Sequence, residues 1–151
     1  MVRFSAFGES FNKGFPFVIF LPADFKSNTI VYKNMNSQFD LRGKLKEKFR
    51  YFGDIYEFNS RTCDCLFTKI KKDGYIHRVF TVIYKPTFKD ETKMENVING
   101  LKRLKEEMYK NDIYDVALNP EGLFDNQDDY DKFLGYVSDI FIEPIWRVVI
   151  T

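Results

Sequence analysis

From the N-terminus onward, short continuous apolar runs alternate with longer segments whose apolar residues return every third or fourth position. "FVIFL" at 17–21 has strand length and no polar face, the pattern of a strand covered on both sides. "TIVYK" at 29–33 is rich in β-branched residues and predicts a second strand. From Leu41 the apolar positions Leu41, Leu45, Phe49 and Phe52 fall at helical spacing, and Gly53 is placed to stop that helix. "IYEF" and "CDCLFTKIK" lead to the turn signal "KDG", after which "YIHRVFTVIYK" resumes as strand until Pro86. The strongest helical pattern covers 91–110, with Met94, Val97, Ile98, Leu101, Leu104 and Met108 in one stripe. "YDVAL" at 114–118 predicts a strand. A helix follows with Tyr130, Phe133, Leu134, Val137, Ile140 and Phe141 on one side, and "WRVVIT" closes the chain as a strand. This alternation predicts a three-layer α/β domain with a central mixed sheet. In such sheets ligands bind beyond the carboxyl ends of the strands, in the loops that lead into helices.

Composition narrows the picture. A chain of 151 residues, 44% hydrophobic, is long enough for one domain with a real core and too short for two ordinary ones. Lysine plus arginine (23) nearly balance aspartate plus glutamate (22), so no global field draws in nucleic acid or an anionic membrane, and neither is expected as a partner. The longest apolar run, "FPFVIFLP" at 15–22, is too short to span a bilayer, and the N-terminus lacks a signal-peptide layout, so the expected location is the cytoplasm. Cys63 and Cys65 are spaced C-x-C with no second pair to complete a zinc site, and read as reduced thiols. Seventeen phenylalanines, 9 tyrosines and a wealth of lysine and asparagine fit an A/T-rich genome such as that of some phages, viruses and low-GC bacteria.

Three loops carry candidate chemistry. In "NPEGLFDN", 119–126, Gly122 lets the backbone turn and a ligand approach, ahead of a helix whose free N–H groups suit a phosphate. Leu123 and Phe124 would set an apolar and aromatic face beside it, although turn chemistry alone also places a glycine there. In "NMNSQFDLRG", Asn34 and Asn36 bring amide donors and acceptors, and Gly43 again permits close approach. "RGKLKEKFR" follows with five cations and one anion, a diphosphate attractant or a solvated helix face. In "PADFK", Asp24 is placed to accept from an exocyclic amine or a ribose hydroxyl, or to cap a turn. The lone His77 lies mid-strand and reads as structural, and the acidic run 125–131 reads as a helix cap. Phe4, Phe7, Phe11, Phe15 and Phe17 form either a partner-binding patch or a cover for the sheet edge.

Taken in order, "VIFLPADF", "NTIVYKNMNSQFDLRG" and "VALNPEGLFDN" resemble the macro domain, the ADP-ribose-binding module. The resemblance spans roughly 15–151, leaving 1–14 as an N-terminal segment, and implies a macro-like α/β fold. It implies that ADP-ribose, free or on a modified macromolecule, lies between the loops at 34–43 and 119–126. Asp24, with Phe25 beside it, would read the adenine amine, Asn34 would line the pocket, and Gly122, Leu123 and Phe124 would hold the diphosphate and ribose. If the protein hydrolyses ADP-ribosyl linkages on protein or nucleic acid, Asn36, Asp40 and the backbone around Gly43 would be the catalytic groups, with no cofactor and no metal. The chain departs from the family pattern at Pro22–Ala23, in the thinned glycines around Gly43, and at Glu121 before Gly122. The alternative is an inactive phage or viral accessory protein that keeps the scaffold to bind or inhibit a host protein in the host cytoplasm.

Overall fold

Five consecutive residues without a polar side chain need cover on both sides, and the strand they form stands inside the sheet. The computed structural model describes residues 2–4, 15–48 and 63–151. Its elements run β1 (Val2–Phe4), β2 (Phe17–Leu21), α1 (Ile30–Phe39), α2 (Leu41–Lys48), β3 (Cys65–Lys72), β4 (Tyr75–Ile83), α3 (Met94–Lys110), β5 (Asp115–Leu118), α4 (Gln127–Ile140) and β6 (Arg147–Ile150). The six strands lie in the order β1-β6-β5-β2-β4-β3. β2 is parallel to both β4 and β5, β6 is parallel to β5 and β1, and β3 alone is antiparallel, against β4. The expected three-layer α/β fold with a mixed sheet is therefore present.

Alternate residues of β2 feed two separate cores. Phe17, Ile19 and Leu21 pack with Val31, Tyr32, Met35 and Phe39 of α1 and Leu41 and Leu45 of α2. Val18 and Phe20 point the other way, into a core with Val97, Leu101 and Leu104 of α3 and Phe133 and Val137 of α4. Burying each such side chain contributes about 1.5–3 kcal/mol, so the strand gains from both layers at once.

One expected strand is a helix. "TIVYK" at 29–33 forms the start of α1, with Thr29 as N-cap accepting a hydrogen bond from the Tyr32 amide. Its β-branched residues favour a strand locally, but Val31, Tyr32, Met35 and Phe39 recur at helical spacing and are all buried, and tertiary burial overrides propensity. The supposed loop 34–43 is correspondingly the rest of α1, a left-handed Asp40 (φ 50°) and the start of α2. Phe49, Phe52, Gly53 and the "IYEF" strand lie outside the described residues.

Other expectations hold. Asp73 and Gly74, both with positive φ, make a two-residue turn between Lys72 and Tyr75, as an Asp-Gly hairpin requires. The acidic run caps α4, with the Asn126 side chain accepting from the Asp129 amide and Asp128 and Asp129 in the first turn. His77 stacks on Phe39 at 5.4 Å, and burial lowers its pKa from the ordinary value. Phe17 is fully buried and Phe15 packs against the same core, so these two aromatics cover the sheet rather than project from it. Cys63 and Cys65 are both free, buried thiols; burial pushes the first up to about 11 and the second well above its ordinary value. No helix among the described residues is long and apolar enough to cross a membrane.

The tightest layer contact is at Gly100 of α3, where an added Cβ would sit 2.5 Å from Val82 Cγ1. Alanine improves helix propensity by about 1 kcal/mol, but overpacking a buried β-branched neighbour costs about 1–3 kcal/mol. Gly100→Ala should therefore lower the urea midpoint, and a raised midpoint would show that α3 can lift off the sheet freely.

Candidate functional site

The connections leaving β2 and β5 go to opposite faces of the sheet: β2 leads to α1 on one side, β5 to α4 on the other. Adjacent parallel strands whose exits diverge leave a crevice at their carboxyl ends, the usual ligand position in an open α/β sheet. Three segments meet there: 22–29 after β2, 84–93 after β4 and 119–126 after β5. Pro22, Lys26, Ser27, Asn28, Thr29, Tyr84, Lys85, Phe88, Glu121 and Gly122 are among the residues that line it. The cavity they enclose measures about 40 Å³.

The segments are tied to one another. The Asp24 carboxylate accepts from the Lys26 amide (3.1 Å) and, across the crevice, from the Phe88 amide (3.1 Å). The Ala23 amide donates to the Lys85 carbonyl at 2.8 Å. The side of the crevice formed by 119–123 rests on buried Asn119, whose Oδ1 accepts from the Glu121 amide and whose Nδ2 donates to Thr151. Gly122 has φ +85°, and a Cβ there would lie 2.8 Å from Thr29 Cγ2, so the loop lies directly against the start of α1. Two reasons for glycine, backbone conformation and close approach, coincide at this position.

Charge is distributed in an unusual way. Lys85, 8% exposed, donates from Nζ to the Asp90 carbonyl at 2.8 Å and lies over the rings of Tyr84 (5.4 Å) and Phe88 (6.0 Å). It makes no ion pair among the described residues; burial lowers its pKa, and the Asp90, Asp24 and Asp125 charges pull the other way. Burial likewise holds the Tyr84 hydroxyl protonated, its pKa pushed up to about 12. Opposite, the Glu121 carboxylate accepts from the Ile30 amide at 2.8 Å and the Val31 amide at 3.3 Å. A helix start with free amides is an anion seat. Here the protein's own carboxylate occupies it.

The structure brings only some of the sequence candidates to this crevice. Gly122 lines it, and Asp24 links two of its segments through the Lys26 and Phe88 amides rather than standing as a free acceptor. Phe25, φ 56°, is buried in the α1 core and its carbonyl accepts from the Tyr32 hydroxyl at 2.7 Å. Leu123 is buried, and Phe124 packs on Phe133 with ring centres 5.7 Å apart, so both face the α4 core. Asn34 and Asn36 lie on α1, and Asn36 is seven residues beyond Thr29, about 10 Å along the helix axis. The Asn36 side chain accepts from the Arg42 amide and the Asp40 side chain from the Gly43 amide, so both shape the α1–α2 corner. A Cβ on Gly43 would fall 2.1 Å from the Asp40 carboxylate, which makes this glycine part of that corner too. Ser27, Asn28 and Lys85, which also line the crevice, are not among the sequence candidates, and Glu121 stands there only as a departure from the family pattern. The visible signal for Lys85 was a lysine closing a strand otherwise destined for the core.

With the fold and crevice in place, the class is defined: the chain has the macro domain fold. No family model matches the chain, and no curated protein does. Among solved structures it is similar to the macrodomain of Mycobacterium tuberculosis DarG, at 13% identity and TM-score 0.74, over 99% of this chain and 96% of that one. The macrodomain of Thermus aquaticus DarG is similar at 14% identity and TM-score 0.69, over 99% and 97%. Thermosipho africanus DarTG, solved in complex with ADP-ribose, is similar at 12% identity and TM-score 0.66, over 93% of this chain and 39% of that one. At such identities the likeness is one of fold.

Lys85 gives the site a pH signature. Its folded pKa is lowered, so between that value and about 10.4 the unfolded chain binds more protons and stability rises with pH. Relative to Lys85→Met, the wild-type urea midpoint should climb through this alkaline window and fall again as the pH is lowered. Parallel curves for the two proteins would mean that the ammonium is not desolvated.

Proposed function

We propose that this domain binds an ADP-ribosyl group in the crevice at the carboxyl ends of β2, β4 and β5, and that the closed crevice is its ligand-free state. One observation carries the proposal: a buried cation, Lys85, and Glu121, the anion that holds the Ile30 and Val31 amides of a helix start, line the same cavity. Both features suit a ligand with negative charge. The fold likeness to a protein solved with ADP-ribose bound supports that choice of ligand. Ligand pockets usually measure about 300–1,000 Å³, so a cavity of about 40 Å³ must widen, and segment 119–123 has to move from α1.

Hydrolysis of an ADP-ribosyl linkage is the enzymatic extension of this reading. Desolvation that lowers the pKa of a lysine increases its neutral, nucleophilic fraction. In that scheme the Lys85 amine attacks the anomeric carbon as the bond to the modified side chain breaks. The nitrogen, cationic once the new C–N bond has formed, gives a proton to the departing oxygen; water then adds at the same carbon, its proton returning to the nitrogen as the C–N bond breaks and frees the lysine. This assignment replaces Asn36, Asp40 and Gly43, which the α1–α2 corner employs.

Calorimetry and turnover separate the two roles. Lys85→Met should weaken ADP-ribose binding at least tenfold and abolish release of ADP-ribose from a modified protein. Lys85→Arg should keep the binding and lose the release. Undiminished ADP-ribose binding by folded Lys85→Met would remove the lysine from the site.

A second reading, a scaffold that contacts another protein, is favoured by a different feature. Ile145, 56% exposed, and Tyr109, 69% exposed, stand at a groove of about 720 Å³ between α3 and the α4–β6 turn, with buried Trp146 among its lining residues. Exposed aromatic and aliphatic side chains beside a buried indole have the composition of an interface core. A protein partner captured from lysate should be lost with Tyr109→Asp plus Ile145→Asp and kept with Lys85→Met. Equal retention by both variants would discard the groove.

A further inference from the structure

We infer that Glu121 is a specificity-determining residue of the crevice: it fills the anion seat on α1 from within and so discriminates against ligands whose diphosphate must rest there. The inference rests on the crevice proposed above as the ligand site.

The three amides at the start of α1 that lack a helical partner are all engaged. The Ile30 and Val31 amides donate to the two oxygens of Glu121, and the Tyr32 amide donates to Thr29 Oγ1 at 3.4 Å. Thr29 is a local cap of the ordinary kind, itself steadied by Ser27, whose Oγ accepts from the Thr29 amide at 3.3 Å. Glu121 is not local. It lies 91 residues from Ile30 in sequence and reaches α1 from the opposite wall. Its direction is fixed by the Asn119 side chain on its own amide, by the turn that closes with the Leu123 amide on the Pro120 carbonyl, and by Gly122 pressed against Thr29.

A diphosphate bound at this helix start needs the same amides. It therefore competes with a carboxylate attached to the same molecule, whose effective concentration is high and constant. The competition falls on the anionic part of the ligand alone. A nucleoside without phosphate makes no claim on the amides and is untouched by Glu121. Glutamine at 121 keeps one carbonyl acceptor but drops the charge, and alanine drops both.

Backbone amide spectra and calorimetry on the full chain test this with two probes, inorganic pyrophosphate and ADP-ribose. For folded Glu121→Ala, pyrophosphate should shift the Ile30 and Val31 amides and bind at least tenfold more tightly than to wild type, with Glu121→Gln between them. ADP-ribose affinity should rise in the same order, while adenosine affinity stays constant. If pyrophosphate shifts the Ile30 and Val31 amides equally in wild type and both variants, or in none of them, Glu121 does not set specificity. Should Glu121→Ala fail to fold, Glu121→Gln carries the same comparison. The two proposals fail differently: a pyrophosphate gain without ADP-ribose binding in any protein overturns the ADP-ribosyl reading alone, whereas equal ADP-ribose binding by all three overturns only the role of Glu121.

Discussion

β2 is the constraint on which the rest depends. Five apolar residues in succession can be satisfied only if both faces of the strand are covered, and that requirement puts helices on both sides of the sheet. Since β2 pairs in parallel with β4 on one edge and β5 on the other, its neighbours must be joined to it by crossovers. The α1–α2 crossover covers one face and α3 the other, which divides the exits of β2 and β5. The crevice between them follows from this division and not from any special loop sequence.

Inside the crevice two opposite charges are present without forming an ion pair. Lys85 is held by a carbonyl and two ring faces, Glu121 by two amides. Each keeps partners of its own, so neither depends on the other for its desolvation. Glu121 is at the exposed rim, where hydrogen bonds to a carboxylate are screened and weaker than in the interior, while Lys85 is buried. The charge that can leave is the negative one.

Much of this was legible in the sequence, and the failures have one origin. The continuous run at 17–21, the Asp-Gly hairpin, the stripe of α3 and the caps of α4 are all set by residues near one another in the chain. "TIVYK" failed because its β-branched composition is a local preference, whereas its fate is decided by Val31, Tyr32, Met35 and Phe39 packing under β2. With that segment read as strand, Asn34, Asn36, Asp40 and Gly43 fell into a loop that does not exist. Of the residues marked in the sequence, Gly122 lines the crevice and Asp24 ties two of its segments together, because turn residues after buried strands are a local signal. Glu121 stood out in the sequence only as a departure before Gly122, because its partners, the Ile30 and Val31 amides, lie about ninety residues away and no spacing encodes that distance; Lys85 meets the Asp90 carbonyl and the Tyr84 and Phe88 rings within its own segment, a geometry set by how that loop folds back.

The closed crevice is not equivalent to a lost one. If Glu121 left α1, the Ile30 and Val31 amides would be given up to water, and the helix start would be free to attract another anion. An anion that bound such an open state better than the closed one would shift the balance toward it. A crevice lined by small glycine turns could remain open unaided, since its amides would be solvated by water. This chain sets the Glu121 carboxylate on the helix start instead, so an anion that used the Ile30 and Val31 amides would have to displace it. Under the proposed reading, the affinity for an anion that needs those amides would be the intrinsic affinity reduced by the cost of displacing Glu121, the residue beside Gly122.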